Sequence, residues 1–533
     1  MPAIPARVWA LIALSGALQI LIFPIAGPVP LWRTLLCWMA LAPLLIAILG
    51  NGGPLRLRQA ALLGYLCGFL WYLGNCYWIY QTMYLYGDLP KLVSLGILVL
   101  FALYLGLYYA FFAVLLALLR RGRWGVQGAL LAAPFAWVSL ELARARITGF
   151  PWDLLGYSQV DNGLLTMLSP VGGVMLMSFV IVAVNSLFAA AALAPQSKRT
   201  LLAGALVLAA AAQLGALYHS PADDPDSQHY ATLLQENLAV GAEGHAEEAL
   251  SAEQKYRQFI AWSKAPNFQM EQGTPEEHWM PMTQPNPPDL IVWPEAPADF
   301  ISIDAAFRSQ MSGLARSADS TVVAGDIGVE IDPHAENGYH EYGSASVFSR
   351  NGSPMGRYDK IHRVPWGEYV PFKQLFFFAG KLVSGVGNFS AGTQHSVFHA
   401  NGRSFSVFIC YESIFGDEVR RFVQDGAEVL VNISDDGWYG DTGAPWQHLN
   451  MARMRAIENR RWLLRDTNTG VTTAIDPHGR GVFTTPRHIR AAFAFPFDYR
   501  SDKTLYTRFG DWFAWLCTLA TIVALLLTRK PVQ

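Results

Sequence analysis

Charge is the scarcest commodity in this sequence. Asp, Glu, Lys and Arg together make up 15% of its 533 residues, whereas roughly a quarter is usual in soluble globular chains. That shortage, with 52% hydrophobic residues and a mean hydropathy of +0.24, argues against a wholly water-soluble fold and for membrane segments. Neither sign of charge dominates. The formal net charge is −2, and without a basic block the chain lacks the electrostatic footprint of nucleic-acid binding. Cysteine is also sparse. Cys37, Cys67, Cys76 and Cys517 fall in apolar runs, and only Cys410 lies in a polar region. No partner for a disulfide is therefore at hand there, and such a thiol is either a buried small hydrophobe or a reactive group. Internal repeats and low-complexity tracts are missing too.

Apolar runs and aromatics fill the space that charge leaves. A bilayer core takes ~20 mostly apolar helical residues. Eight stretches qualify: 8–26, 32–49, 58–80, 92–119, 126–143, 169–193, 199–218 and 511–528. The first resembles a signal peptide, but Pro24 and Pro28 stand where small cleavage-site residues belong, so a retained helix is expected. The 17 Trp and 21 Tyr suit a protein with long contact at the lipid–water interface. Basic residues alternate from loop to loop. Arg7, Arg56 and Arg58, Arg120, Arg121 and Arg123, Lys198 and Arg199, and Arg529 and Lys530 mark one side; the other has only Arg33, Lys91, Arg144 and Arg146. The richer side is cytoplasmic by the positive-inside rule. Both termini are then inside, and seven crossings place 219–510 outside, in the periplasm of a Gram-negative cell.

This division gives a transmembrane region at 1–218, a polar domain at 219–510 holding all 12 histidines, and a final helix with its tail at 511–533. The polar domain patterns as α/β. Strands are predicted at His229–Gln235, Leu290–Trp293, Thr321–Gly325, Ala345–Phe348, Phe405–Ile409, Val429–Ile433 and Val471–Ile475. Helices are predicted near 246–264, 303–317, 414–424 and 446–461. In the last of these, Met451, Met454 and Ile457 recur at helical spacing, the mark of a core-packing stripe. The proline-rich stretch 265–288 is expected to be a surface loop.

Three motifs carry chemistry. Ile291-Val292-Trp293-Pro294-Glu295 ends a strand on a carboxylate, at the sheet edge where α/β proteins keep their ligands. Tyr358-Asp359-Lys360 leads into a loop with Val364-Pro365-Trp366-Gly367-Glu368. Phe405-Ser406-Val407-Phe408-Ile409 delivers Cys410, followed by Tyr411 and Glu412. A cysteine between a strand end and a helix start has its thiol acidified by helix amides, which also await a developing oxyanion. Singly, each residue has an ordinary structural explanation. Together they make a nucleophile, a cation to stabilise it and a carboxylate to move its proton. Glu368 and Glu412 can position the lysine.

In this order the motifs resemble the nitrilase superfamily. Seven apolar spans before the domain and one after it resemble its membrane-embedded branch, the apolipoprotein N-acyltransferase family. Thr148-Gly149-Phe150-Pro151-Trp152, Gly156-Tyr157-Ser158-Gln159, Asn432-Ile433-Ser434-Asp435-Asp436-Gly437-Trp438-Tyr439-Gly440 and Pro445-Trp446-Gln447-His448 extend the likeness over nearly the whole chain. The resemblance implies a nitrilase-like αββα sandwich beside an eight-helix membrane domain, in the bacterial inner membrane. It implies a Glu295, Lys360 and Cys410 triad, support from Glu368, Tyr411 and Glu412, and a substrate-side Trp438. It also implies a ping-pong reaction with no metal or organic cofactor. Cys410 takes an acyl chain from a phospholipid, typically phosphatidylethanolamine, and passes it to the amino group of a diacylglyceryl-cysteine on an apolipoprotein. Two departures stand out: Gln235-Glu236-Asn237-Leu238 replaces the family's Gln-Gly-Asn-Ile, with no tryptophan soon after, and Asp153 adds a charge after Trp152.

Rival readings fit less well. A hydrolase of the same superfamily acting on soluble substrates has no need of eight spans. A transporter would carry ionisable residues deep within its spans, and these are nearly uncharged. His395 and His399 are four apart in a stretch patterned as strand or loop, a poor arrangement for a metal. Aromatic residues at Trp366–Phe372 and Phe376–Phe378 are placed either to enter lipid or to pack on the helices.

Overall fold

The computed structural model describes residues 4–50, 53–194, 197–218, 229–238, 240, 251–268, 280–281, 287–297, 300–335, 337–365, 367–369 and 389–528. Trp366, the aromatic stretch 370–388, the start of the helix predicted at 246, and Arg529 and Lys530 lie outside them.

Helices occur at every predicted span. Among the described residues, five are long and apolar enough to cross a membrane: Leu31–Leu49, Lys91–Leu119, Gly125–Thr148, Val174–Leu193 and Lys198–Leu217. Ala6–Leu21 and Trp512–Thr528 are shorter apolar helices. Leu57–Asn75 has 19 residues but takes in Arg58, Gln59 and Asn75. The span predicted to begin at 169 starts as a continuous helix only at Val174, because Gly173 breaks it with a φ of 71°. The segment Leu31–Leu49 is itself interrupted between Trp38 and Ala42. Asn185 repairs this break. Its Oδ1 accepts the Leu41 and Ala42 N–H groups at 2.8 and 3.0 Å, and its Nδ2 donates to the Cys37 carbonyl at 2.9 Å. Away from water, backbone groups freed by a helix break must be satisfied by protein.

The polar region folds as two stacked sheets flanked by helices. The first has the order β3 (Met280–Pro281), β2 (Asn267–Phe268), β14 (Ala491–Pro496), β1 (Tyr230–Gln235), β4 (Leu290–Trp293), β5 (Thr321–Ile331), β6 (Tyr339–Phe348) and β7 (Pro354–Asp359). The second runs β13 (Gly481–Thr484), β12 (Thr473–Ile475), β11 (Trp462–Thr467), β10 (Val429–Ser434), β9 (Arg403–Ile409) and β8 (Phe398–Ala400). Strand alternation explains the layers. Leu290 and Val292 of β4 meet Val407, Val431 and Phe493 between the sheets. Ile291 and Trp293 face outward against Tyr256, Phe259, Phe307 and Met311 of helices Ala252–Lys264 and Ala305–Ala318.

Each predicted strand is present, β5 and β6 with longer spans. The chain also forms β7, β8, β11, β13 and β14, for which no strand is predicted. β11 places Arg465 and Asp466 in a fully buried strand, so its pattern is not that of an apolar run. The 265–288 stretch contributes the short strands β2 and β3 as well as loop.

Helix Ala444–Asn459 buries two faces. Leu449, Ala452 and Ala456 pack in the sandwich core, while Met451, Met454 and Ile457 belong to the core of the membrane helices. The stripe is thus core, but of the neighbouring domain. Polar contacts accompany it: Arg455 donates to the Tyr157 hydroxyl at 2.7 Å, Val174 N–H to Glu458 at 2.9 Å, and Arg453 to Asp161 at 2.6 Å. At the other edge Arg146 bridges Asp417 and Asp511 at 2.7 and 2.5 Å.

Asn185→Leu is expected to destabilise the membrane domain by about 2–3 kcal/mol, the cost of orphaned buried backbone groups. Thermal unfolding in detergent checks this against Leu100→Ala, a substitution at a 68% exposed helix position that should leave the midpoint unmoved.

Candidate active site

Glu295 stands two residues past the end of β4, at the start of a bend. The bend fits because Gly325 on β5 has no side chain: a Cβ there would lie 2.0 Å from the Pro294 carbonyl. Lys360 follows β7 and is fixed at both backbone ends, its N–H donating to Gly343 and its carbonyl accepting from Gly392 at 2.9 and 2.8 Å. Its ammonium, 1% exposed as a residue, donates to Glu295 Oε1 at 3.0 Å and Glu368 Oε1 at 2.6 Å. Glu368 is locked in turn by the Val364 N–H at 2.8 Å, and Glu295 Oε2 by the Asp435 N–H at 3.0 Å. Burial disfavours the charged lysine, yet Glu295 and Glu368 together hold its pKa well above the usual range.

Cys410 follows β9 directly and is buried within reach of the charges of Glu295 and Lys360. Its φ of +50° is left-handed, an unfavourable conformation for a residue with a Cβ and one that clusters at functional sites. The element it opens is the 3-10 turn Cys410–Ile414, and the α-helix begins only at Gly416. The expected helix-terminus acidification is therefore not available. Burial, and then the charge of Glu295, push the thiol pKa well up, with Lys360 opposing them. Near neutral pH these influences favour the protonated thiol.

Glu412, fully buried, ties the lysine loop to the cysteine strand. It accepts the Ile361, His362 and Ile409 N–H groups at 2.6, 3.1 and 2.7 Å and the Tyr358 hydroxyl at 2.8 Å. Tyr411 points the other way, into the core of the membrane helices, its hydroxyl 3.3 Å from the Gly149 carbonyl. Trp438 stays out of the cluster. It is 43% exposed, with its ring edge-on to Tyr86 and its carbonyl accepting from Thr82 at 2.8 Å.

Sequence reasoning missed one layer. His448 Nε2 donates to the Cys410 carbonyl at 3.0 Å, and its Nδ1 lies 2.8 Å from Asp436. Arg465 holds Asp436 at 2.7 Å and also donates to Asn432. Asn432, Asp436 and His448 all stand in the quoted motifs, but only the fold shows that they support the Cys410 backbone. Asp153 also gains an account: its Oδ2 accepts from Asn75 at 2.8 Å. Among the described residues no three His, Cys, Asp or Glu side chains are grouped to hold a metal.

Two domain families match the chain: "Apolipoprotein N-acyltransferase N-terminal domain" over residues 15–187 and "Carbon-nitrogen hydrolase" over residues 209–494. An apolipoprotein N-acyltransferase of Geobacter metallireducens is 36% identical over all of this chain and 97% of its own length. The chain belongs to the apolipoprotein N-acyltransferase family. A member from Methylococcus capsulatus is 34% identical, with 92% of each chain covered. The likeness to a Nesterenkonia amidase structure is looser, at 17% identity and a TM-score of 0.35 over 53% of this chain and 92% of that one. Membership makes the protein a membrane-associated acyltransferase with a carbon-nitrogen hydrolase domain.

The raised thiol pKa has a sign that can be tested. Near neutral pH alkylation of Cys410 by iodoacetamide should be slow, climbing about tenfold per pH unit in the alkaline range as thiolate forms. Glu295→Gln removes a charge that raises this pKa, so at fixed pH it should alkylate several-fold faster. Slower alkylation in that variant would refute the electrostatic argument.

Proposed function

We propose that this family member moves an acyl chain from a phospholipid to the α-amino group of a diacylglyceryl-cysteine on an apolipoprotein, with Cys410 as nucleophile, Glu295 as general base and acid, and Lys360 as oxyanion partner. The observation that carries the proposal is the buried ammonium of Lys360, gripped by two carboxylates and close enough to Cys410 to act on its thiol.

The Cys410 proton passes to Glu295 as sulfur attacks the ester carbonyl. Lys360 takes the negative charge that develops on the carbonyl oxygen, where a preorganised donor in a dry site is most effective. Collapse breaks the ester bond, Glu295 returns the proton to the departing alkoxide, and a lysophospholipid leaves a thioester behind. The neutral amine of the acceptor then attacks the thioester. Glu295 takes a proton from that nitrogen and hands it to the cysteine sulfur as the amide forms. Glu368 and Glu412 position Lys360 and its loop. Tyr411 anchors the nucleophile turn to the membrane helices, and Trp438 lies on the substrate side.

The same proposal takes the eight apolar spans as eight crossings of the inner membrane, with 1–218 and 511–533 embedded, both termini cytoplasmic and the catalytic domain 219–510 periplasmic. The alternation of basic loops supports it. So does the seam of Ala444–Asn459, which holds the site beside the membrane helices, where a phospholipid ester bond is within reach.

Purified full-length protein incubated with phosphatidylethanolamine carrying a labelled chain is expected to gain a hydroxylamine-labile acyl mass, absent in Cys410→Ala. Adding a diacylglyceryl peptide should move that chain to the peptide amine. Loss of label to water alone would mark a hydrolase instead. Glu295→Gln should lower the transfer rate by about 10²–10⁴-fold, the range for a general base.

A further inference from the structure

Among the membrane helices lies a half-open cavity of about 30 Å³. Its lining includes Arg144, Glu141 and Asp153, each at most 5% exposed. The Arg144 guanidinium carries five N–H donors. Its one hydrogen-bond acceptor among the described residues is the Tyr72 hydroxyl at 2.8 Å, with the Trp71 and Tyr72 rings below it at 5.5 and 5.6 Å. Glu141 Oε1 accepts from Trp137 and from the Leu155 N–H, but its Oε2 has no partner among the described residues. Asp153 Oδ1 has none either. A buried guanidinium and two half-satisfied carboxyl groups around one small space require a ligand that both donates and accepts. The volume suits about two water molecules. A lipid tail would satisfy none of the polar atoms.

We propose that this chamber is an internal water site, and that its waters join Arg144 and Glu141 to Asp153 and so fix the loop beneath Cys410. The protein continues the chain of contacts from there. Asp153 holds Asn75, and Gln447 Nε2 donates to the Asn75 carbonyl and side chain, both at 3.3 Å. The Trp152 indole N–H donates to Gln447 Oε1 at 2.7 Å. The Trp152 ring stacks on His448, centroids 5.9 Å apart, and His448 holds the Cys410 carbonyl. Asp153 is on this account a positioning residue that acts through Trp152 and His448. This second part rests on Cys410 being the nucleophile.

Radiolytic hydroxyl labelling of the full-length protein in phosphatidylethanolamine nanodiscs reads the waters directly, because bound water generates radicals beside buried rings. Trp71 and Tyr72 should be oxidised despite their burial. Failure to label them, whether from a dry chamber or one filled by lipid, overturns the water site. Asp153→Leu should reduce that labelling and lower kcat by about tenfold, the effect of a slightly misplaced nucleophile, with KM for phospholipid unchanged. Asp153→Asn, which keeps the oxygen acceptor, should recover most of the loss. An unchanged kcat in Asp153→Leu, or a loss confined to KM, overturns the positioning role. If wild-type protein labels at Trp71 and Tyr72 but forms no acyl adduct at Cys410, the water site stands and the catalytic reading fails.

Discussion

The site turns on one buried positive charge. Taking an ammonium out of water costs several kcal/mol, and only close, well-aligned anions offset it. Lys360 has two, Glu295 and Glu368, and each carboxylate is pinned through its other oxygen by a backbone N–H, Glu368 by Val364 of its own loop and Glu295 by Asp435 after β10. The ion cluster therefore brings together the end of β4, the loop after β7 and the turn after β10. Glu412 extends the same logic to the cysteine strand. The charges that suit this site for catalysis also hold its loops in register.

A second constraint lies at the seam between sandwich and membrane helices. Ala444–Asn459 has no solvent face to spare, since one side serves each core. Its polar residues are satisfied across the boundary, Arg455 by Tyr157 and Glu458 by the Val174 N–H. A helix so placed cannot shift against the membrane helices without exposing apolar surface or stranding a buried charge. Through His448 it also grips the Cys410 backbone. Cys410 is thereby tied to the membrane helices as well as to its own sheet.

Much of the architecture was legible along the chain. Long apolar runs, strand alternation as in Leu290–Trp293, and motifs ending on Glu295, Lys360 and Cys410 carry strong local signals. What escaped was set by partners distant in sequence. β11 carries Arg465 and Asp466, and a buried arginine pairs with Asp436 only once the sheet exists. The resting state of Cys410 differed from expectation because a 3-10 turn replaced the helix start, leaving burial and Glu295 to govern the thiol.

The sequence by itself determined the division into apolar helices and an α/β domain, because hydropathy and strand alternation are properties of neighbouring residues. It also determined which acid, amine and thiol are on hand. Tertiary structure alone decided that Met451, Met454 and Ile457 face the membrane core, that His448 supports the Cys410 backbone, and that Asp153 serves Asn75 beside the Arg144 cavity. These are choices between equally apolar or equally polar partners, and only packing distinguishes them.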